Sequence, residues 1–309
     1  MKKFLKNTVL FFLVILVIGE IVVRITHSVS DIPQRTIDKF HIQKYYPNQE
    51  GYWKGGDHKW MINKLGWPGE LPESFDDLIL VIGDSFIENF MNPSECHQSK
   101  YLKENMEDYN FMEAGRSGVS LIEAMEINKQ LDSLTPLKSL IYVNDNDFFE
   151  SIVDIKTMKD ITQLDLKDEN VVYGEMKSPG LKKVLYNWKL LYYFYNRFPI
   201  DFSKSKEDSQ KIEDLKELLK NNKEKVFDLL KYITTHYKTD NQILVFHPNS
   251  SEIIIEACKE VGFEVIILDS SKSSNDWTFD YDSHWTCYGH KQVANQVSRA
   301  LINALEKNN

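Results

Sequence analysis

Gly83-Asp84-Ser85-Phe86 sets a serine directly behind a short apolar run, residues 78–82. A serine hydroxyl becomes a useful nucleophile when a base takes its proton. The base in turn needs a carboxylate that fixes its tautomer and stabilises its charged form. The compact supply of such partners is Asp280-Tyr281-Asp282-Ser283-His284-Trp285, in a polar stretch near the C-terminus. His284 is the expected base and Asp282 the expected carboxylate; Asp280 is the alternative, because an offset of two residues requires a tightly turned chain. His290 is expected to cap or pack at the start of a C-terminal helix. His58, His97 and His247 are scattered and read as surface or packing histidines. Ser85 also suits the N-cap of a following helix, a role compatible with catalysis.

Acyl transfer further needs donors aimed at the oxyanion, each worth about 3 kcal/mol where measured. Besides the Ser85 amide, two positions qualify. Gly115, in Ala114-Gly115-Arg116-Ser117-Gly118, lets backbone approach closely, and Asn146, in Val143-Asn144-Asp145-Asn146-Asp147, offers a side-chain amide. Each alone reads as a turn residue. Together with Ser85 and the His284 segment they fall at the ends of successive strand-like runs. Ser117 is no rival nucleophile, because its surroundings lack Gly-x-Ser-x-Gly spacing.

The elements that must position these residues follow from periodicity. Apolar runs at 78–82, 111–112, 140–143, 243–246 and 265–268 have the length and continuity of strands buried on both faces. Between them, Ile122, Met125 and Leu131 form one helical face, and Ile212, Leu215, Leu219, Val226, Leu230 and Ile233 a second. Residues 253–258, and Val293, Val297 and Leu301, give two more. Alternating strands and helices predict a parallel five-stranded sheet in a three-layer α/β/α domain, residues 76–309, with the candidate residues on its C-terminal rim. Residues 151–208 interrupt the alternation and are expected to form a helical cap. Within it, 181–198 predicts one aromatic, basic helix, either packed on the domain or lying at a membrane surface.

The N-terminus carries Lys2, Lys3 and Lys6 ahead of an apolar run, 8–25, broken only by Gly19, Glu20 and Arg24. That is close to the roughly 20 residues a spanning helix needs, and the lysines put its start in the cytoplasm. Residues 1–28 are therefore expected to be a membrane anchor, with the remainder extracytoplasmic; a cleaved signal peptide is the rival, but no small-x-small site follows the run. Residues 29–75 read as a stalk and edge segment. A net charge of -9 argues against a nucleic-acid binder. Three cysteines, Cys96, Cys258 and Cys287, lack metal-site spacing and suggest no disulfide framework, and their odd number leaves at least one free thiol.

From about residue 78 to the C-terminus, the insertion apart, the chain resembles the SGNH (GDSL-type) serine hydrolases. Gly83-Asp84-Ser85 matches their first block, Gly115 the second, Asn146-Asp147 the third and Asp282-Ser283-His284 the last. Residues 62–66, Ile-Asn-Lys-Leu-Gly, look like the lead-in of membrane-anchored members. Phe86 stands where Leu is usual, and Asn144 where the third block often has Gly. The carboxylate lies two residues before the histidine rather than three, with Trp285 after it, a form similar to the alginate-type polysaccharide O-acetyltransferases. The resemblance implies a flavodoxin-like sheet of order 2-1-3-4-5 and a Ser85, His284, Asp282 triad. It also implies an oxyanion hole from Ser85, Gly115 and Asn146, with no metal or cofactor. The expected activity is removal of an acyl group, acetyl above all, from a surface carbohydrate or glycolipid. Transfer of that group to a glycan, and a non-catalytic glycan-binding or scaffold role on the same fold, are the alternatives.

Overall fold

A computed structural model of the protein describes residues 1–198, 208–271 and 276–306. The chain opens with α1 (Lys2–Ile25), whose most apolar 18-residue window has a mean hydropathy of 2.6 and is 6% buried. A helix so apolar and so little covered by its own protein has the length and composition to cross a membrane. Two antiparallel hairpins follow, β1 (Arg35–Ile37) with β2 (Gln43–Tyr45), and β3 (Glu50–Tyr52) with β4 (Lys59–Met61). Residues of the 29–75 segment pack onto the domain. Tyr45, Trp60 and Ile62 form their own small core with Phe90, and Ile42 and Trp67 reach the main one.

The central sheet is built from β5 (Leu78–Gly83), β6 (Asn110–Gly115), β7 (Lys138–Val143), and later β10 (Gln242–Phe246) and β11 (Glu264–Ile267). Its strands are all parallel, in the spatial order β6-β5-β7-β10-β11, the flavodoxin-like 2-1-3-4-5 arrangement. Side chains alternate between faces along each strand. Leu80, Ile82, Ile141 and Phe246 therefore point into one core, and Ile79, Val81, Leu140 and Val245 into the other. The first core is covered by α4 (Leu121–Leu131), α8 (Asp208–His236) and α9 (Glu252–Glu260); the second by α3 (Gln98–Asn105) and α10 (Cys287–Glu306). Burial on both sides is why the strands read as unbroken apolar runs.

Val226, Leu230 and Ile233 are buried on α8 as expected, while the side chains of Ile212, Leu215 and Leu219 lie outside the described residues. The insertion differs from the expected all-helical cap. Its first part holds a hairpin, β8 (Gln163–Asp165) with β9 (Asn170–Val172), and residues 199–207 lie outside the described residues. The single helix expected over 181–198 is two, α6 (Pro179–Asn187) and α7 (Lys189–Arg197), separated at Trp188, whose backbone is extended (φ -97°, ψ 91°).

Cys96 and Cys287 form a disulfide across 191 residues, and Cys258 is free and buried. The spacing of the cysteines suggested no disulfide framework, yet two of them are bonded, and the free thiol expected from their odd number is Cys258. The bond joins the segment before α3 to the first residue of α10, a proximity that exists only after the second core has formed.

Candidate active site

The serine is positioned by the end of β5. The side chain of Asp84 accepts a hydrogen bond from the Phe86 backbone N–H (3.0 Å) and caps the short helix α2 (Ser85–Glu88), so Ser85 occupies its first turn. The Ile87 and Glu88 N–H groups of the same turn donate to the Asp84 carbonyl (3.1 and 3.0 Å), so Asp84 closes the helix start with both its side chain and its backbone. β5 and β7 are neighbours from which the chain leaves toward opposite edges, and their ends form the switch-point crevice of a doubly wound sheet.

His284 arrives on a β-hairpin rather than in an irregular loop. β12 (Thr278–Phe279) pairs with β13 (Asp282–Trp285), and side chains two apart on a strand share a face. Asp282 and His284 therefore lie side by side. One carboxylate oxygen of Asp282 accepts both the His284 backbone N–H (2.9 Å) and the ring Nδ1–H in a short hydrogen bond. His284 Nε2 lies 2.7 Å from the Ser85 Oγ and accepts its hydroxyl proton in this tautomer. Burial works against the charged Asp282 carboxylate, but the hydrogen bonds and positive charge of His284 outweigh it and hold the group below its ordinary range. Asp280 sits exposed in the turn between the two strands.

The hairpin is tied to the Ser85 side of the crevice twice. Asn92 Nδ2 donates to the Trp285 carbonyl (2.9 Å) and to Asn89 Oδ1 (2.7 Å), Asn89 being the residue that ends α2. The Cys96–Cys287 bond lies two residues further along the chain from Trp285. Phe86 fills the space between, with ring centroids 4.7 Å from His284, 4.8 Å from Trp285 and 4.3 Å from His247.

A cavity of about 650 Å³ opens over these groups, walled by Ser85, Phe86, Gly118, Asn144, Asn146, His247, Trp277 and His284 among others. Asn146 is exposed, and its own N–H donates to Asn144 Oδ1 (2.9 Å). Asn144 in turn donates its backbone N–H to Asp147 (2.7 Å), a capping box that starts α5 (Asp145–Glu150), and its side-chain amide to Asp84 (3.2 Å). Asparagine at this position thus braces the turn against Asp84, the residue that caps α2.

Gly115 is not on the cavity wall. It ends β6 against α2, where an added Cβ would fall 2.5 Å from the Glu88 nitrogen. Its role is close backbone approach. Gly118 is the glycine that faces the cavity, at φ +79° in a turn closed by the Val119 N–H on the Arg116 carbonyl (3.2 Å). The loop is held to α2 by Glu88, which accepts the Ser117 N–H (2.7 Å) and the Tyr45 hydroxyl.

His247 is the other residue that sequence reading did not bring to the site. It is buried at the cavity wall, with Nε2 unpartnered, and burial together with the charge on His284 pushes its pKa down to about 3. Beneath the serine, burial raises Asp84 to about 6, and burial with repulsion from Asp84 raises Asp147 well above the usual carboxylate range. His290 packs as expected, its Nδ1 accepting from Gln98 (3.0 Å). Among the described residues no three His, Cys, Asp or Glu side chains converge to hold a metal.

No family model and no curated protein matches this chain. Similar solved structures include the psychrotrophic esterase EstA from Pseudoalteromonas sp., at 14% identity over 75% of this chain and 100% of that one, with a TM-score of 0.39. A member of the lipolytic G-D-S-L family from Veillonella parvula shares 12% identity over 71% and 94% of the two chains (TM-score 0.33). A GDSL-like lipase from Bacteroides thetaiotaomicron shares 13% over 74% and 89% (TM-score 0.31). Identities and scores of this size assign no residue a role, so the reading of the site rests on its own geometry.

Proposed function

We propose that the protein is a membrane-anchored, extracytoplasmic serine esterase that removes O-acyl groups, acetyl above all, from a cell-surface carbohydrate or glycolipid. The observation that carries this reading is the relay in which His284 Nε2 stands 2.7 Å from Ser85 Oγ while Asp282 holds Nδ1. Ser85 Oγ attacks the ester carbonyl as its proton passes to His284. The oxyanion meets the Ser85 and Gly118 amides and the Asn146 side chain; Gly118 replaces Gly115 in this role because it is the one at the cavity. Collapse returns the proton from His284 to the departing sugar oxygen and leaves acyl-Ser85, which a water activated by His284 then hydrolyses. A sugar hydroxyl in place of that water would make the same site a transferase.

A cavity that sets Asn144, Asn146 and Asn249 beside the aromatic rings of Phe86, Trp277 and Trp285 suits a sugar. The disulfide favours an oxidising compartment, consistent with a domain outside the cytoplasm. The test is labelling of the detergent-solubilised protein by a fluorophosphonate, together with release of acetate from an acetylated glycan with and without a second glycan as acceptor. Labelling of wild type but not Ser85→Ala, with acetate released, is the expected result. Acetate appearing on the acceptor instead would move the reading to transfer, and no labelling of folded protein would overturn it.

A further inference from the structure

We infer that α6 and α7 lie in the headgroup layer of the same bilayer that α1 enters, so that the partner of this face is the lipid surface. The inference rests on the anchor reading of α1 and adds to it a second, amphipathic contact.

Three independent features place the pair there. The first is how it is attached. On α1, Glu20 and Arg24 pair with each other at 2.6 Å, and together they satisfy the chain ends exposed by the break at Trp188. Glu20 accepts the Lys189 N–H (3.1 Å) and the Leu190 N–H (2.7 Å), capping the start of α7. Arg24 donates to the Asn187 carbonyl (2.5 Å), at the end of α6. Acid at a helix start and cation at a helix end are also the favourable signs for the two dipoles. Gly19 leaves room for Leu190, whose methyl carbon would lie 3.0 Å from an added Cβ, and Leu190 packs with Val23 and Val29. Both helices are therefore fastened to the last turns of α1, at the depth where a spanning helix leaves the hydrocarbon.

The second feature is what the pair exposes. Leu181, Val184 and Trp188 form one stripe at helical spacing, and Leu191, Phe194, Tyr195 and Phe198 another, and all seven are exposed. Apolar stripes belong against something apolar, and two adjacent ones exceed the scattered exposed apolar residues that an ordinary surface carries. The third is charge. Residues 179–198 contain Lys182, Lys183, Lys189 and Arg197 and no Asp or Glu, in a chain of net charge -9. Lys189 is engaged by Asp31 (2.7 Å), and among the described residues Lys182, Lys183 and Arg197 form no ion pair, which leaves three cations for anionic headgroups. Aromatic and basic side chains around an apolar stripe are the composition of an interfacial helix.

The placement bears on the substrate. Lys182 and Tyr186 of α6 wall a second cavity, of about 290 Å³, that shares Gly118 with the catalytic one. An interfacial α6 would bring lipid headgroups to the edge of the site, which favours the glycolipid over a free glycan.

The test uses the full-length protein in vesicles of phosphatidylcholine and phosphatidylglycerol. In a Cys258→Ser background, nitroxide is attached at one of Leu13→Cys, Val184→Cys, Phe194→Cys or Ile253→Cys. Collision with oxygen and with a water-soluble nickel chelate is then measured. Oxygen-to-nickel ratios at 184 and 194 severalfold above that at 253 on α9, but below that at 13 in α1, are expected. Ratios at 184 and 194 equal to that at 253, with 13 in lipid, would overturn the inference while leaving the anchor intact. A water-like ratio at 13 would overturn the anchor reading, and the inference with it.

Discussion

Cys96 and Cys287 are bonded at a Cα separation of 5.0 Å, and Cys287 lies three residues beyond His284 in the chain. The bond thus anchors the exit of the hairpin that carries His284. A cross-link closing so long a loop contributes about 2–5 kcal/mol, in the chain-entropy account by restricting the unfolded chain. Cys96→Ser/Cys287→Ser should lower the melting temperature by about 5–15 °C. It should also lower kcat on an activated ester, because the hairpin then loses its covalent tie and is held by the Asn92 hydrogen bond and the ring contacts with Phe86. Unchanged melting after verified reduction of wild type would remove the bond's structural role.

Ser85→Ala and His284→Ala should each abolish turnover, and the double variant should be no worse than either, since nucleophile and base act as a unit. Asp282→Asn should fold normally and lose less, because it leaves an imidazole held in the wrong tautomer rather than none. Asp280→Asn should be neutral. Steady-state kinetics on the two aspartate variants decide the carboxylate; a damaging Asp280→Asn beside a silent Asp282→Asn would reverse the assignment.

Much of this architecture was legible because sheet burial writes itself as unbroken apolar runs, and β5, β7 and β10 each carry one. Ser85 and Asn146 were legible as residue types placed just past such runs, and Asp282 and His284 as a compact Asp-x-His in a polar stretch ahead of the last helix. What distinguishes Gly118 from Gly115 is not residue type but a backbone packed against α2 at one and a cavity-facing turn at the other, and both are tertiary facts. The break at Trp188 was hidden for a similar reason. The helical periodicity runs straight through it, and the groups that compensate the broken ends, Glu20 and Arg24, are more than 160 residues away in sequence. The disulfide depends on a pairing across 191 residues that no local spacing announces. His247 was read as packing, and it does pack, but against the site.

His247 gives the fold an acid sensitivity that can be isolated. Its pKa lies at about 3 in the folded protein, below an ordinary value of 6.5, so the folded state keeps it neutral while the unfolded chain takes up a proton. A group depressed in this way contributes stability above pH 6.5 that is lost as pH falls toward 3. Between pH 7 and pH 5 the loss from this one group is about 2 kcal/mol. His247→Phe keeps the ring contacts with Phe86 and Trp285 and removes the titration. The variant should lose less stability than wild type on going from pH 7 to pH 5, by about that amount, in denaturant unfolding at the two pH values. Parallel losses in both proteins would mean that His247 is protonated in the fold or that other histidines account for the sensitivity.

The oxyanion donors can be separated from turn-formers by pairing kinetics with melting. At Gly115 an added methyl would strike the Glu88 backbone at 2.5 Å, so Gly115→Ala should depress the melting temperature and damage activity only through the fold. Gly118 has open space around its Cβ direction, the nearest atoms lying 3.9 Å away, but its φ of +79° disfavours any side chain. Gly118→Ala should therefore cost about 1 kcal/mol of stability and a larger fraction of kcat, as the turn rotates its amide away from the cavity. Asn146 differs from both because its side chain makes the proposed contact while its backbone N–H holds the turn through Asn144. Asn146→Ala leaves that backbone bond in place, so the melting temperature should hardly move. If the amide meets charge that appears only in the transition state, kcat should fall on the order of a hundredfold while KM stays near its original value. Near-normal kcat in Asn146→Ala, with the loss confined to Gly118→Ala, would leave the oxyanion to the Ser85 and Gly118 backbones alone.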